Sequence, residues 1–176
     1  MQICFASIED ARPIAEIHVA TWKAAYAGIV PADFLAGLSV EKRESYWREQ
    51  IPLGHQKIAV AKLGTRVVGW IAYGASRDDD ADSGAAEIWA IYVSPEFWSG
   101  GVGRNLWLYS QSHLATEGYR SVSLWVLAAN SRAINFYRKA GFVPDSSGNK
   151  EFEIGGTPLK DVRYVTDLTR HETSAV

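Results

Sequence analysis

The run VSPEFWSGGVGRNL, from Val93 to Leu106, places Gly100, Gly101 and Gly103 between an apolar segment that ends at Val93 and a helical pattern that begins near Val102. The first N–H groups of a helix have no partner inside it, and they point outward at the positive end of the helix dipole. Glycine there lets the backbone close around an anion and adopt positive φ. Arg104 adds a cation, so Ser99, Gly100, Gly101, Val102, Gly103 and Arg104 together suit a phosphate group. Two familiar phosphate loops are excluded. No Gly-Lys pair precedes Ser or Thr, and the third glycine of a dinucleotide fingerprint is replaced by Leu106. A glycine-rich turn that merely opens a helix has the same composition, so the loop alone leaves both readings open.

Other reactive residue types point to little. Cys4 is the single cysteine, so no internal disulfide forms, and its apolar setting suits a small core residue. The four histidines and Cys4 form no evident triad or metal cluster, so no metal is expected. His18, four residues before Trp22, is expected to pack or hydrogen-bond there. The acidic run from Asp78 to Asp82 fits a solvated hairpin loop better than a cation site.

The elements that would position the loop follow from periodicity. A short strand around CFA leads into a helix over EDARPIAEIHVATWKAAYAG, broken by Gly28 and Pro31. A second helical region restarts at Ser39, a plausible N-cap followed by Glu41. The period then changes to two. KIAVAKL and RVVGWIAY are expected strands joined through Gly64-Thr65, and AEIWAIYV is a third. After the glycine loop, Val102, Leu106, Tyr109 and His113 share one helical face, and Gly118 ends that helix. SVSLWVL alternates as a strand. NSRAINFYRKAG is a short helix with Asn130 as its cap and Gly141 at its close. Two late strands meet at Gly155-Gly156, with Pro144 opposing regular pairing where it stands. The order predicts a single α/β domain over residues 1–176, built on a mixed sheet.

With 176 residues, 47% of them apolar, the chain can bury a sizeable core. A net charge of −2 gives no bulk attraction to nucleic acid. No signal pattern or membrane-length apolar run stands out, so a cytoplasmic protein is expected.

Two segments resemble the GNAT superfamily of acetyl-CoA-dependent N-acetyltransferases. Trp98-Ser99-Gly100-Gly101-Val102-Gly103 falls on the family's acyl-CoA loop, Gln/Arg-x-x-Gly-x-Gly/Ala; both glycines match and Trp98 departs at the first position. NSRAINFYRKAGF is similar to the family's Asn-x-x-Ala-x-x-x-Tyr-x-x-x-Gly-Phe, with Asn130, Ala133, Tyr137, Gly141 and Phe142 in register. The resemblance is strong from Glu87 to Phe142 and weaker over IHVATWKAAYAGIVP. It implies a mostly antiparallel sheet with helices on both faces and two parallel strands, AEIWAIYV and SVSLWVL, that splay apart. The pantetheine arm of acetyl-CoA would bond along Ile91, Tyr92 and Val93 like an added strand. The pyrophosphate would rest on N–H groups from Ser99 to Arg104, and Asn130 and Tyr137 would line the far wall.

The implied reaction is acetyl transfer to a primary amine by direct attack. The amine must lose a proton, the oxyanion needs donors, and the departing thiolate benefits from an acid. The resemblance makes Glu87 the candidate base, directly or through water, Tyr137 the candidate acid, and the Val93 N–H an oxyanion donor. Trp22, Tyr26 and Trp89 are candidate acceptor-binding residues because aromatic faces suit a cationic amine. The acceptor would be a small metabolite, an amine antibiotic or a peptide N-terminus. A non-catalytic acyl-CoA-binding or sensing module is the alternative. A homodimer is common among relatives, and the sequence does not set the assembly.

Overall fold

A computed structural model describes residues 1–168, so the last eight residues of the expected domain lie outside the described residues. Strand β1 (Gln2–Phe5) is followed by a single 3-10 turn and helix α1 (Ala11–Ala25). Helices α2 (Ala32–Ala36) and α3 (Val40–Leu53) come next. Strands β2 (Lys57–Leu63), β3 (Arg66–Ala75) and β4 (Ala85–Val93) form an antiparallel meander. Helix α4 (Val102–Thr116), strand β5 (Ser121–Leu127), helix α5 (Ser131–Lys139) and the hairpin β6 (Val143–Ile154) and β7 (Thr157–Asp167) complete it. The seven strands lie in the order β1-β2-β3-β4-β5-β7-β6.

Local chemistry accounts for many of these boundaries. Ser39 caps α3 by accepting the Lys42 N–H at 3.1 Å, and Asn130 caps α5 by accepting that of Ala133 at 3.1 Å. Gly54, Gly118 and Gly141 end their helices at positive φ. The β6–β7 register shifts between Pro144 and Asn149, where proline has no N–H to offer the ladder.

The sheet is covered on both faces. One core joins α4 and α5 to the sheet through Leu106, Leu114, Val122, Leu124 and Phe142. The other joins α1 and α3 through Ile14, Trp47, Val60 and Trp70. Strand β3 is therefore buried continuously from Val67 to Tyr73, and its alternation disappears. The expected face of α4 is corrected in part: Val102 and Leu106 are buried, but the core continues through Trp107 and Leu114. Tyr109 and His113 sit at the rim, where their rings meet Phe5 of β1. Among the described residues, no helix is long and apolar enough to cross a membrane.

Two features open the sheet at its centre. Strands β4 and β5 are parallel, and their pairing runs only from Ala85/Ser121 to Ile88/Leu124. On the β3 side, the register shifts so that Ile88 faces Tyr73 and Ala90 faces Ala72, leaving Trp89 as the extra residue of a bulge. A bulge bends and twists its strand. Beyond it, β4 continues to Val93 without pairing to β5, leaving a gap between Ile91–Val93 and the end of β5.

Candidate active site

The glycine loop lies at the end of that gap. After Val93 the chain makes a 3-10 turn over Pro95–Phe97 and enters α4 through Gly101, at φ 81°. Ser99, also left-handed at φ 64°, is the one described non-glycine residue with positive φ. Ser99, Gly100, Gly101 and Arg104 are exposed. Among the described residues nothing accepts a hydrogen bond from the N–H groups of Ser99, Gly101, Val102, Gly103 or Arg104. The Gly100 N–H is the exception within the expected set; it donates to the Phe97 carbonyl at 3.2 Å. Gly103 has a second reason to be glycine, since a Cβ there would lie 3.3 Å from the Phe136 ring of α5. These donors fit a diphosphate by number and dipole sense.

Trp98, the departure from the family pattern, has a structural task. Its indole N–H donates to the Val93 carbonyl at 2.8 Å, and the guanidinium of Arg132 lies 4.3 Å from its ring centroid. Arg132, at the start of α5, is thereby held beside the loop as a cation that spacing alone did not reveal. Thr21 of α1 also donates to the Val93 carbonyl, at 3.0 Å. The expected strand-like docking along Ile91, Tyr92 and Val93 is corrected at this atom, because the Val93 carbonyl is already taken.

Tyr137 packs on Phe136 and Phe142, with ring centroids 5.2 and 5.8 Å away. Burial, and then the neighbouring Tyr92, hold its phenol above its ordinary pKa, so it keeps its proton at neutral pH. Its hydroxyl has no hydrogen-bond partner among the described residues. Asn130 uses its carbonyl as the α5 cap, and its Nδ2 is likewise without a partner among them.

On the opposite face, α1 brings Trp22 and Tyr26 to Tyr92. The Trp22 N–H donates to the Tyr92 hydroxyl at 3.0 Å, and the Trp22 and Tyr26 rings meet edge to face at 4.8 Å. His18 stacks between Trp22 and Trp70 with both ring nitrogens sealed and without partners; burial lowers its pKa to about 3, so it is neutral. Trp89, expected alongside Trp22 and Tyr26, joins a different group. Its N–H donates to the Ala75 carbonyl at 3.3 Å and Arg77 lies 4.4 Å from its ring centroid, because the bulge turns it toward the β3–β4 connection.

Glu87 departs most from expectation. It is 2% exposed, one of the largest fully buried side chains. One oxygen accepts the backbone N–H and the Nε–H of Arg77, at 3.1 and 3.0 Å, and the other pairs with Arg77 Nη2. Both oxygens of the Glu87 carboxylate are thus engaged by Arg77 and closed to solvent, where a free strand-end carboxylate was expected.

The late hairpin supplies residues that sequence reading missed. Arg163 of β7 makes a bidentate pair with Asp80 at 2.6 Å and bonds Asp145 at 2.8 Å. Asp78 accepts from Lys150 at 2.9 Å and from the Trp125 indole at 3.0 Å, and the Lys150 ammonium lies 3.7 Å from the Trp125 ring centroid. The acidic run is therefore partly a buried anchor for β5, β6 and β7. Asp161, also on β7, has no hydrogen-bond or ion-pair partner among the described residues. Burial raises its pKa, with Lys150 opposing. A patterned-strand signal cannot flag one aspartate among several.

Comparison with known proteins agrees with this geometry. The family model described as Acetyltransferase (GNAT) family matches residues 21–142. An uncharacterized N-acetyltransferase of Bacillus subtilis, YuaI, is 31% identical over 157 residues, covering 89% of this chain and 87% of that protein. A spermidine N(1)-acetyltransferase of Thermoplasma acidophilum is 25% identical over 154 residues, covering 83% and 90%. In three dimensions, the PaiA N-acetyltransferase of Thermoplasma acidophilum, solved with coenzyme A, superposes with a TM-score of 0.75 at 22% identity, covering 95% of this chain and 99% of that one. The glycine loop, the splayed parallel pair and these matches define an acyltransferase fold of one kind. The chain belongs to the GNAT acetyltransferase family, and it is an N-acetyltransferase that uses acetyl-CoA.

Proposed function

We propose that the protein acetylates a primary amine by direct attack, with no acyl group passing through the enzyme. The observation that carries this reading is the row of unpartnered N–H groups at Ser99 and Gly101–Arg104, set beside the open edge of β4. When bound, acetyl-CoA supplies an acetyl group activated as a thioester. The loop N–H groups and Arg104 would hold its diphosphate, and Arg132, braced on Trp98, adds charge at the same end. The backbone groups of Ile91–Val93 that face the gap, the Val93 carbonyl excepted, and the Asn130 amide would fix the arm. Tyr137 is the candidate acid: its burial keeps a proton on Oη at neutral pH, ready for a departing thiolate. The N–H of Val93 is the candidate oxyanion donor.

The acceptor would enter from the α1 face, where Trp22, Tyr26 and Tyr92 supply aromatic surface for a cation. A relative named for spermidine supports an amine of this class. Glu87 takes a positioning role here, fixing Arg77 and the β3–β4 connection, and the amine gives up its proton to water before it attacks. The test is free-thiol release from acetyl-CoA across a panel of primary amines, alongside calorimetric titration with CoA. Tight CoA binding with amine-dependent thiol release is expected. CoA binding with no release from any amine would leave a cofactor-binding module instead, and no CoA binding would end the reading altogether.

A further inference from the structure

The acidic groups on the α1 face of the sheet are nearly all matched. Glu87 is held by Arg77, Asp78 by Lys150 and Trp125, and Asp80 and Asp145 by Arg163. Asp161 is the exception. It is half-buried, and no described residue donates to it. The cation facing it in register on β6, Lys150, is committed to Asp78 and to the Trp125 ring.

Its place in the sheet sets what it faces. Asp161 pairs in register with Leu127, three residues past the last β4–β5 pair at Leu124. It shares its side of β7 with Arg163, whose β5 partner is Trp125, so it lies on the α1 face. The start of β7 packs on the segment that follows α1, where a Cβ at Gly155 would lie 3.3 Å from Pro31, so Asp161, four residues into β7, comes toward Tyr26 at the end of α1 and Tyr92 on β4. One unmatched carboxylate thus stands at the mouth of the gap, opposite aromatic rings. Leaving a half-buried carboxylate without a partner disfavours the fold, and an incoming cation relieves that cost.

We propose that Asp161 is the counter-charge for the acceptor, pairing with the ammonium of a cationic primary amine while Tyr26, Tyr92 and Trp22 pack against its alkyl or aryl part. This rests on the acetyltransferase reading above. It makes the acceptor a cationic amine and assigns the selection of charge to β7. Asp161 docks the acceptor as its ammonium; the nitrogen gives its proton to water before it attacks, the C–N bond forms as the C–S bond breaks, and the departing thiolate takes the Tyr137 proton.

The test uses the full chain, with spermidine and benzylamine as acceptors and acetyl-CoA as donor. Asp161→Asn is expected to raise KM for both amines at least tenfold and to leave KM for acetyl-CoA within twofold. Calorimetric titration of spermidine into the CoA-bound protein should show the same loss of affinity. Asp161→Glu should restore part of it. Removing an unpartnered carboxylate does not threaten the fold, so the Tm of Asp161→Asn is expected to equal or exceed that of the starting protein at pH 7. An unchanged amine KM, or an equal rise in both KM values, overturns the assignment. If the unaltered protein releases no thiol with any amine, the acetyltransferase reading itself falls, and Asp161 with it.

Discussion

Gly101 gives the sharpest test of the diphosphate cradle. It enters α4 at φ 81° and ψ −3°, and a Cβ built there would meet nothing closer than the Asn105 Nδ2 at 3.8 Å. Gly101→Ala therefore creates no clash. It carries only the penalty for an L-residue in left-handed conformation, about 1–2 kcal/mol. Two responses are open to the loop. If it keeps its shape, stability falls by that amount, a drop in Tm of about 2–8 °C for a domain of this size. If it relaxes to negative φ, stability is recovered, but the N–H groups of Gly101, Val102 and Gly103 turn away from their common focus. Each hydrogen bond to a charged group contributes about 1.5–3 kcal/mol, so losing one weakens CoA binding about tenfold or more. Melting the protein and titrating it with CoA measures both. The variant must lose Tm, CoA affinity, or a share of each. Gly101→Asn should recover much of the loss, since asparagine tolerates this conformation. A variant with both quantities unchanged would refute the account of the loop.

The remaining predictions concern separate parts of the site. Tyr137→Phe is expected to lower kcat about tenfold or more while CoA affinity stays within twofold, which steady-state kinetics and titration would separate. Arg132→Ala should weaken CoA binding severalfold at low salt, with the difference shrinking as ionic strength rises, because an exposed guanidinium is screened. Arg77→Ala strands the buried Glu87 carboxylate and should cost about 2 kcal/mol once the exposure of the guanidinium is discounted, read as a fall in Tm. His18 binds no proton when folded until about pH 3, against an ordinary value of about 6.5, so the unfolded chain takes up the extra proton in that window. Its contribution is complete at neutral pH and is lost as pH falls from about 6.5 toward 3. His18→Phe should therefore move acid unfolding to lower pH.

What could be read along the chain were the features set by neighbouring residues. Helix caps at Ser39 and Asn130, the glycine stops, the Gly155-Gly156 hairpin and the loop before α4 depend on spacings of a few positions, and those spacings persist in the fold. The glycine loop was legible for the same reason: three glycines and a helix start lie within one short segment. The roles of Glu87, Trp89, Arg132 and Asp161 were not legible, because each depends on a partner contributed by another element or on the lack of one. Glu87 has the composition of a base and the surroundings of an anchor, since Arg77 reaches it across the β3–β4 connection. Trp89 was separated from Trp22 by a bulge that no periodicity announces. Charge pairing and strand splay arise when β4, β5 and β7 come together, and electrostatic energy depends on distance in space, whatever the order in the chain. Spacing along the chain sets the elements and the glycine turn before α4, whereas the packing of β4, β5 and β7 sets which carboxylates meet a cation, because pairing depends on separation in space.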